Sequence, residues 1–279
     1  MSFRDIFRRW RLYYRSGPLF RETLAQPRLA YSLPWVPAGR MVEIAFRSGR
    51  AFTMRAGEWP VLPIMCKLER LGAEVELAEG AKRVRIDGLT LFSPLWDREE
   101  AWNYKEVLID DVYGIKARDL AGRVVVDVGG YVGDSAAAFA RRGARVHACE
   151  PSETFCAFMR RNLAENGLRD RVTLHEVGLA EREHVEERGY DRLRFVEGVA
   201  YTLAKLPRAV ELLKLDCEGS EYHLLSDVRF LEHLAPREIR LEYHRGPEGV
   251  LEPLERAGYE VTVQRANGTL GLVAARALT

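Results

Sequence analysis

Three stretches of this 279-residue chain place carboxylates, glycines and a histidine at spacings that can do chemistry. In VVVDVGGYVGDS, residues 124–135, an apolar strand carrying Asp127 runs into a turn containing Gly129, Gly130, Tyr131 and Gly133. Asp134 and Ser135 follow as good residues to open a helix. Glycine lets the backbone turn sharply and lets a bulky ligand approach the main chain. The dinucleotide fingerprint G-x-G-x-x-G is missing; the glycines fall as G-G-x-x-G, and D-x-G-x-x-x-G fits instead. An anion at Asp127 repels a pyrophosphate but suits an ammonium, such as that on the amino-acid tail of S-adenosylmethionine.

The second stretch is RVHACEPSETF, in which Glu150 ends the next strand, 23 residues after Asp127. A carboxylate there accepts hydrogen bonds from both ribose hydroxyls of an adenosine, with Pro151 and Ser152 beside it. The alternative is a carboxylate that only caps the following helix. The next strand exit, EVGLA with Gly178, is where such a fold holds the adenine edge. In the third stretch, LLKLDCEGSEYHLL, Asp216, Glu218 and Glu221 crowd around a strand end and a glycine. Like charges this close bind a cation, take hydrogen bonds or sit in water. One strand later, EIRLEYH sets Glu242 and His244 two apart, on one face. Neighbouring strands bring these ends together at the carboxyl edge of a sheet, where open α/β folds bind ligands. The alternative is ordinary solvated strand-end polarity.

His244 is the first candidate for a general base, because an imidazole titrates near neutrality and Asp216 and Glu242 can orient it. Glu218 is a second carboxylate within the same group. The competing reading is a histidine satisfied by a backbone carbonyl. Asp216, Glu242 and His244 could hold Mg²⁺ or Mn²⁺, but divalent sites usually show more carboxylates at fixed spacing, so no metal is expected.

The elements that must position these residues start near residue 119. Strand-like VVVDV, RVHAC, VTLHEV, LLKLD and EIRLEYH alternate with helical SAAAFARR, ETFCAFMRRNLAEN and SEYHLLSDV. That alternation predicts a parallel sheet with helices on both faces. YEVTVQ and TLGLVAA flank Ala266-Asn267-Gly268, a strong hairpin signal, so the last strand should run antiparallel. The expected fold is α/β, a Rossmann-like seven-stranded sheet of the class I methyltransferase type, over 119–279. Before it, residues 41–118 read as a small α+β cap. MVEIAFRSGRAFTMRA gives two strands turning at Ser48-Gly49, and further turns fall at Glu79-Gly80 and Asp87-Gly88, with a helix in VLPIMCKLERLG between. Trp96, Trp102 and Tyr104 could line a pocket or simply pack. Residues 1–40 form a basic arm with eight Arg against Asp5 and Glu22. There Phe3, Phe7, Trp10 and Tyr14 recur at helical spacing beside Arg4, Arg8, Arg11 and Arg15, until Ser16-Gly17-Pro18. This helix either docks its aromatic face on the protein or meets an anionic membrane surface or RNA.

The glycine-rich turn, Glu150-Pro151, LKLDCEGSE and LEYH, in this order and spacing, resemble the FkbM family of S-adenosylmethionine-dependent methyltransferases. The resemblance covers roughly residues 105–260, and D-x-E-G-x-E is its most specific part. It implies a class I methyltransferase fold and O-methylation of hydroxyls on sugars or secondary metabolites. Gly130-Tyr131 departs from it, standing where the family usually has Ala-Asn.

Composition agrees with an enzyme of this kind. The chain is 47% hydrophobic and 30% charged, with formal net charge +1, as in soluble globular proteins. No apolar run reaches the ~18 residues a membrane span requires. The start lacks the apolar stretch of a secretory signal, which predicts a cytoplasmic protein. Cys66, Cys149, Cys156 and Cys217 are scattered, with neither disulfide nor zinc spacing. The leading expectation is methyl transfer from S-adenosylmethionine to a small-molecule or glycan hydroxyl. Two other readings stand beside it. One is an RNA methyltransferase that uses the basic arm on phosphates; the other is a non-catalytic cofactor-binding protein on the same fold.

Overall fold

The alternation of apolar and polar residues before residue 100 becomes two hairpin systems in the computed structural model, which describes Tyr13, residues 15–189 and residues 191–278. Strand β1 (Met41–Ala45) pairs antiparallel with β2 (Ala51–Arg55), and β3 (Glu74–Ala78), β4 (Ala81–Ile86) and β5 (Leu89–Pro94) form a meander. The meander turns at Glu79-Gly80 and Asp87-Gly88, all four residues at positive φ. Positive φ at both central residues matches the right-handed strand twist, which is why Gly and Asp stand there. The apolar run between the hairpins is the helix Leu62–Arg70. Ser16-Gly17-Pro18 opens a helix, Gly17–Thr23, with its proline in the first turn where a missing N–H is tolerated. The aromatic and arginine stripe expected before it lies, but for Arg15, outside the described residues.

These elements belong to a unit that ends at Ile109; a second unit starts at Asp110. Its backbone is a seven-stranded sheet. The strands are β6 (Val124–Val128), β7 (Arg145–Cys149), β8 (Val172–His175), β12 (Leu212–Leu215), β13 (Glu238–Tyr243), β14 (Tyr259–Asn267) and β15 (Leu270–Ala277). Their order across the sheet is β14-β15-β13-β12-β6-β7-β8. The pairs from β13 to β8 are parallel, while β15 runs antiparallel to both β13 and β14. This order, with its reversed strand beside β13, is the class I methyltransferase arrangement. Central strands are mostly apolar because both faces are covered: Val126, Val128, Leu213, Leu215, Ile239 and Leu241 are buried in one core.

Between β8 and β12 lies an insertion that alternation did not reveal. Strands β9 (Gly178–Ala180), β10 (His184–Arg188) and β11 (Asp191–Glu197) form a separate three-stranded sheet ordered β10-β11-β9. A three-residue strand and the polar run HVEER carry too little apolar period to be read as strands. Among the described residues, no helix is long and apolar enough to cross a membrane.

Candidate functional site

Four chain segments leave the sheet at its carboxyl edge and carry the predicted residues there. After β6 the chain turns through Gly129 at φ +84°, Tyr131 at +48° and Gly133 at +86° into the helix Asp134–Arg141. The N–H groups of Gly129 and Gly130 both donate to the Cys149 carbonyl, 3.0 Å away, which ties this turn to the end of β7. A Cβ on Gly129 would stand 1.7 Å from the Asp216 carbonyl oxygen, so the β6 and β12 exits are in direct backbone contact.

Glu150 closes this loop from the other side. Its Oε2 accepts from the Tyr131 N–H at 2.8 Å and its Oε1 from the Ser152 N–H at 3.0 Å. Each oxygen keeps further lone-pair capacity for a ligand donor. Ser152 is the residue that caps the next helix, Glu153–Glu165: its Oγ accepts from the Phe155 N–H and donates to Asp191 Oδ2. Asp191, at the start of β11, also accepts from the Thr154 N–H. Gly178 packs tightly, since a Cβ there would meet the Phe195 ring at 2.5 Å and Pro151 at 3.0 Å. The Tyr131 ring stands edge-on to Phe155, centroids 4.7 Å apart.

Asp127 is fully buried and already has a cation. Lys214 Nζ lies 2.9 Å from its Oδ1, and Ser135 Oγ donates to its Oδ2 at 2.6 Å. The register Lys214↔Asp127 between β12 and β6 brings the pair together. Lys214 also donates to the Gly129 carbonyl at 2.7 Å and lies 3.9 Å from Asp216 Oδ2. Burial acts to lower the lysine pKa, but Asp127 and Asp216 outweigh it and hold the ammonium well above its ordinary range. The residue that remains open to a ligand's cation is Asp134: its Oδ2 is buried without a hydrogen-bond partner. Burial lifts the Asp134 carboxyl to about 7 and that of Glu150 to about 8.

Asp216, Glu218, Glu242 and His244 do come together. One ligand atom from each of Asp216, Glu242 and His244 lies within 4.8 Å of the others. His244 Nε2 faces Asp216 Oδ1 at 3.7 Å and Glu218 Oε2 at 3.8 Å. Side-chain exposure grades outward, from 12% at Glu242 and 13% at His244 to 28% at Asp216 and 88% at Glu218. Glu218 holds φ +56°, followed by Gly219 at +106°, so this loop too turns through left-handed backbone. Fully buried Glu221 orients the histidine: its Oε1 lies 3.1 Å from Nδ1 and also accepts from the His244 N–H, while Oε2 accepts from the Gly219 N–H.

Burial acts to lower the His244 pKa, yet the Glu221 hydrogen bond and the charges of Glu221, Asp216 and Glu218 raise it to about 9. The ring is therefore an imidazolium at neutral pH, not the group titrating near neutrality that the sequence suggests. Tyr113, Lys214 and Arg265 were not legible in the sequence as site residues. Tyr113 OH donates to Asp216 Oδ2 at 3.1 Å, and Arg265 Nη2 lies 3.9 Å from Glu242 Oε1.

Residues 127–261 match the family model of the methyltransferase FkbM domain. This is an S-adenosylmethionine-dependent methyltransferase domain of the FkbM type. The match starts at Asp127 and takes in every strand exit described above. No curated protein is significantly similar to the chain. Among solved structures, the chain resembles M. jannaschii TYW2 in complex with AdoMet at 14% identity and TM-score 0.47, over 72% of this chain and 86% of that one. Methyltransferase FkbM from Methylobacillus flagellatus KT is similar at 17% identity and TM-score 0.43, over 56% of this chain and 43% of that one. Magnesium protoporphyrin IX methyltransferase from Synechocystis PCC 6803 is similar at 15% identity and TM-score 0.44, over 64% and 82%. The FkbM domain's own residues fit the cofactor. Glu150 has acceptor capacity at the end of β7, and the partnerless Asp134 Oδ2 is an acceptor suited to a cationic donor.

Proposed function

We propose that the FkbM domain methylates a hydroxyl of a sugar, glycan or small metabolite. The observation that carries this reading is the carboxylate-rich group of Asp216, Glu218 and Glu242 around His244, next to the cofactor loops. Carboxylates accept hydrogen bonds from several hydroxyls at once, so they suit a neutral, polyhydroxylated acceptor. The same charges repel a phosphate backbone, which disfavours RNA at this mouth.

S-adenosylmethionine, when bound, would supply a methyl group on a positively charged sulfur, whose carbon a nucleophile can attack as the C–S bond breaks and the neutral thioether leaves. The chain then has two tasks. Glu150 fixes the nucleoside end through ribose hydroxyls, and the Gly129–Gly133 turn with Asp134 receives the amino-acid end. Asp216, Glu242 and His244 hold the acceptor oxygen and draw its proton into their cluster. Alignment of this kind supplies about 7–11 kcal/mol, and proton removal adds roughly 10²–10⁴-fold.

The test is methyl transfer from S-adenosylmethionine labelled in its methyl group, offered glycosides, hydroxylated metabolites and total RNA. Label in a base-stable ether on a polyol supports the reading. Label in RNA, with none in any hydroxylated small molecule or glycan, overturns it.

A further inference from the structure

We infer that Lys214 is a positioning residue for methyl transfer: from β12 its ammonium grips both ends of the Gly129–Gly133 turn and so sets the affinity for S-adenosylmethionine. The inference rests on the reading of that turn as the cofactor's, and it is independent of the acceptor.

The first ground is the place of Lys214 in the sheet. It lies within β12 at 2% exposure, and its strand neighbours Leu212, Leu213 and Leu215 are wholly buried. β12 is paired on both sides, with Lys214 opposite Asp127 on β6 and opposite Arg240 on β13. Replacing a buried ion pair by apolar residues of similar volume is often neutral or stabilising. Stability is therefore a weak reason for a lysine among leucines, and a task in the site is a stronger one.

Reach is the second ground. Nζ donates to the Gly129 carbonyl at 2.7 Å, where the turn begins. It also pairs with Asp127 Oδ1 at 2.9 Å, and Asp127 Oδ2 accepts from Ser135 Oγ at 2.6 Å. Ser135 sits in the first turn of the helix Asp134–Arg141, into which the loop runs. One ammonium thus holds the loop directly where it leaves β6, and through Asp127 where it enters the helix. From the other side, the Gly129 and Gly130 N–H groups are tied to the Cys149 carbonyl. A glycine backbone that could otherwise turn freely is held in one orientation.

Charge is the third ground. Burial lifts the Asp134 carboxyl to about 7 and that of Glu150 to about 8. The charge of Asp127 pushes both the same way, and Asp191 adds to the lift at Glu150. Beside the backbone N–H groups of their own loops, Lys214 is the group that opposes the lift at both carboxyls. A cation in a buried site is little screened, so its charge carries across the loop. Lys214 thereby keeps more of Asp134 and Glu150 in the ionised form that suits the cofactor.

The experiment compares full-length Asp127→Asn with the double variant Asp127→Asn/Lys214→Met by calorimetric titration of S-adenosylhomocysteine from pH 6 to pH 9. Neither variant holds the buried ion pair, so the two differ in the ammonium. Its removal should weaken binding at neutral pH at least about tenfold, the scale of one lost charge-assisted hydrogen bond. It should also move the rise of affinity with pH to higher pH. Equal affinity in the two variants, or weaker binding with an unmoved pH profile, overturns the inference; the second result is what a merely structural lysine gives. Should the double variant fail to fold, the wild type labelled with ¹⁵N-lysine decides. Of its six lysines, only Lys82 and Lys214 are buried. S-adenosylhomocysteine should shift the Lys214 ammonium resonance, identified by its displacement in Asp127→Asn, and an unshifted resonance overturns the inference. A wild type that binds no S-adenosylhomocysteine would sink the reading of the turn, and the inference with it.

Discussion

The backbone of Gly129 lies against that of Asp216 so closely that a Cβ on Gly129 would stand 1.7 Å from the Asp216 carbonyl oxygen. The contact joins the loop proposed to receive the cofactor to the loop that carries Asp216 and Glu218. Gly129→Ala must push the two apart, and its φ of +84° adds about 1–3 kcal/mol of strain for any residue with a Cβ. Binding of S-adenosylhomocysteine should weaken by at least about tenfold, since ~1.4 kcal/mol corresponds to that factor. Calorimetry checks this; unchanged affinity with an unchanged melting temperature would mean the loops are not so coupled.

Cofactor affinity should depend on pH through Glu150. Burial lifts its carboxyl to about 8, so in the free protein it is largely protonated below that pH. Only the carboxylate can accept from both ribose hydroxyls while keeping the Tyr131 and Ser152 N–H bonds. The ionised form therefore binds better, and affinity rises from pH 6 to 8 by at most about tenfold per unit, then levels off. Asp134, lifted to about 7, adds in the same direction over the lower part of that range. In Glu150→Gln the upper part of the slope should vanish. A flat wild-type profile would show that Glu150 does not meet the cofactor.

His244→Ala should cut turnover at least about a hundredfold, the scale of a lost proton-handling group, and leave S-adenosylhomocysteine affinity nearly unchanged. The fold should survive, because Glu221 keeps the N–H groups of Gly219 and of residue 244. Turnover close to wild type with a true acceptor would remove His244 from the chemistry.

In the first unit, stability should hinge on a buried ion pair. Lys82 and Glu100 are wholly buried in salt-bridge contact, and Lys82 also donates to the Asp97 carbonyl. Lys82→Met strands the carboxylate and should cost about 3–5 kcal/mol at pH 8. Burial already lifts the Glu100 carboxyl to about 7, so below that pH it protonates and the loss should shrink. Denaturant unfolding at pH 5.5 and pH 8 measures both. Equal losses at the two values would contradict the account.

The local structure near the glycines was legible because local sequence carries it. A strand, a glycine turn and a helix opening lie within VVVDVGGYVGDS. Lys214 was not legible. Nothing in LLKL marks it as a site residue, and only the pairing of β12 with β6 sets it against Asp127. Tyr113 lies 103 residues from Asp216, so no spacing could announce their hydrogen bond. The shift of His244 to about 9 depends on three carboxylates from a neighbouring loop and helix, which composition cannot supply. The β9–β11 sheet escaped for a plainer reason, since β9 spans three residues and β10 is polar.

The central claim is that the Gly129–Gly133 turn and Glu150 hold S-adenosylmethionine rather than a dinucleotide. Calorimetric titration of the full-length protein with S-adenosylhomocysteine and with NAD tests it most directly. The account predicts one S-adenosylhomocysteine site per chain, weakened in Glu150→Ala by roughly 1.5–3 kcal/mol per lost charge-assisted hydrogen bond, and no NAD binding. Tight binding of NAD with none of S-adenosylhomocysteine would contradict it.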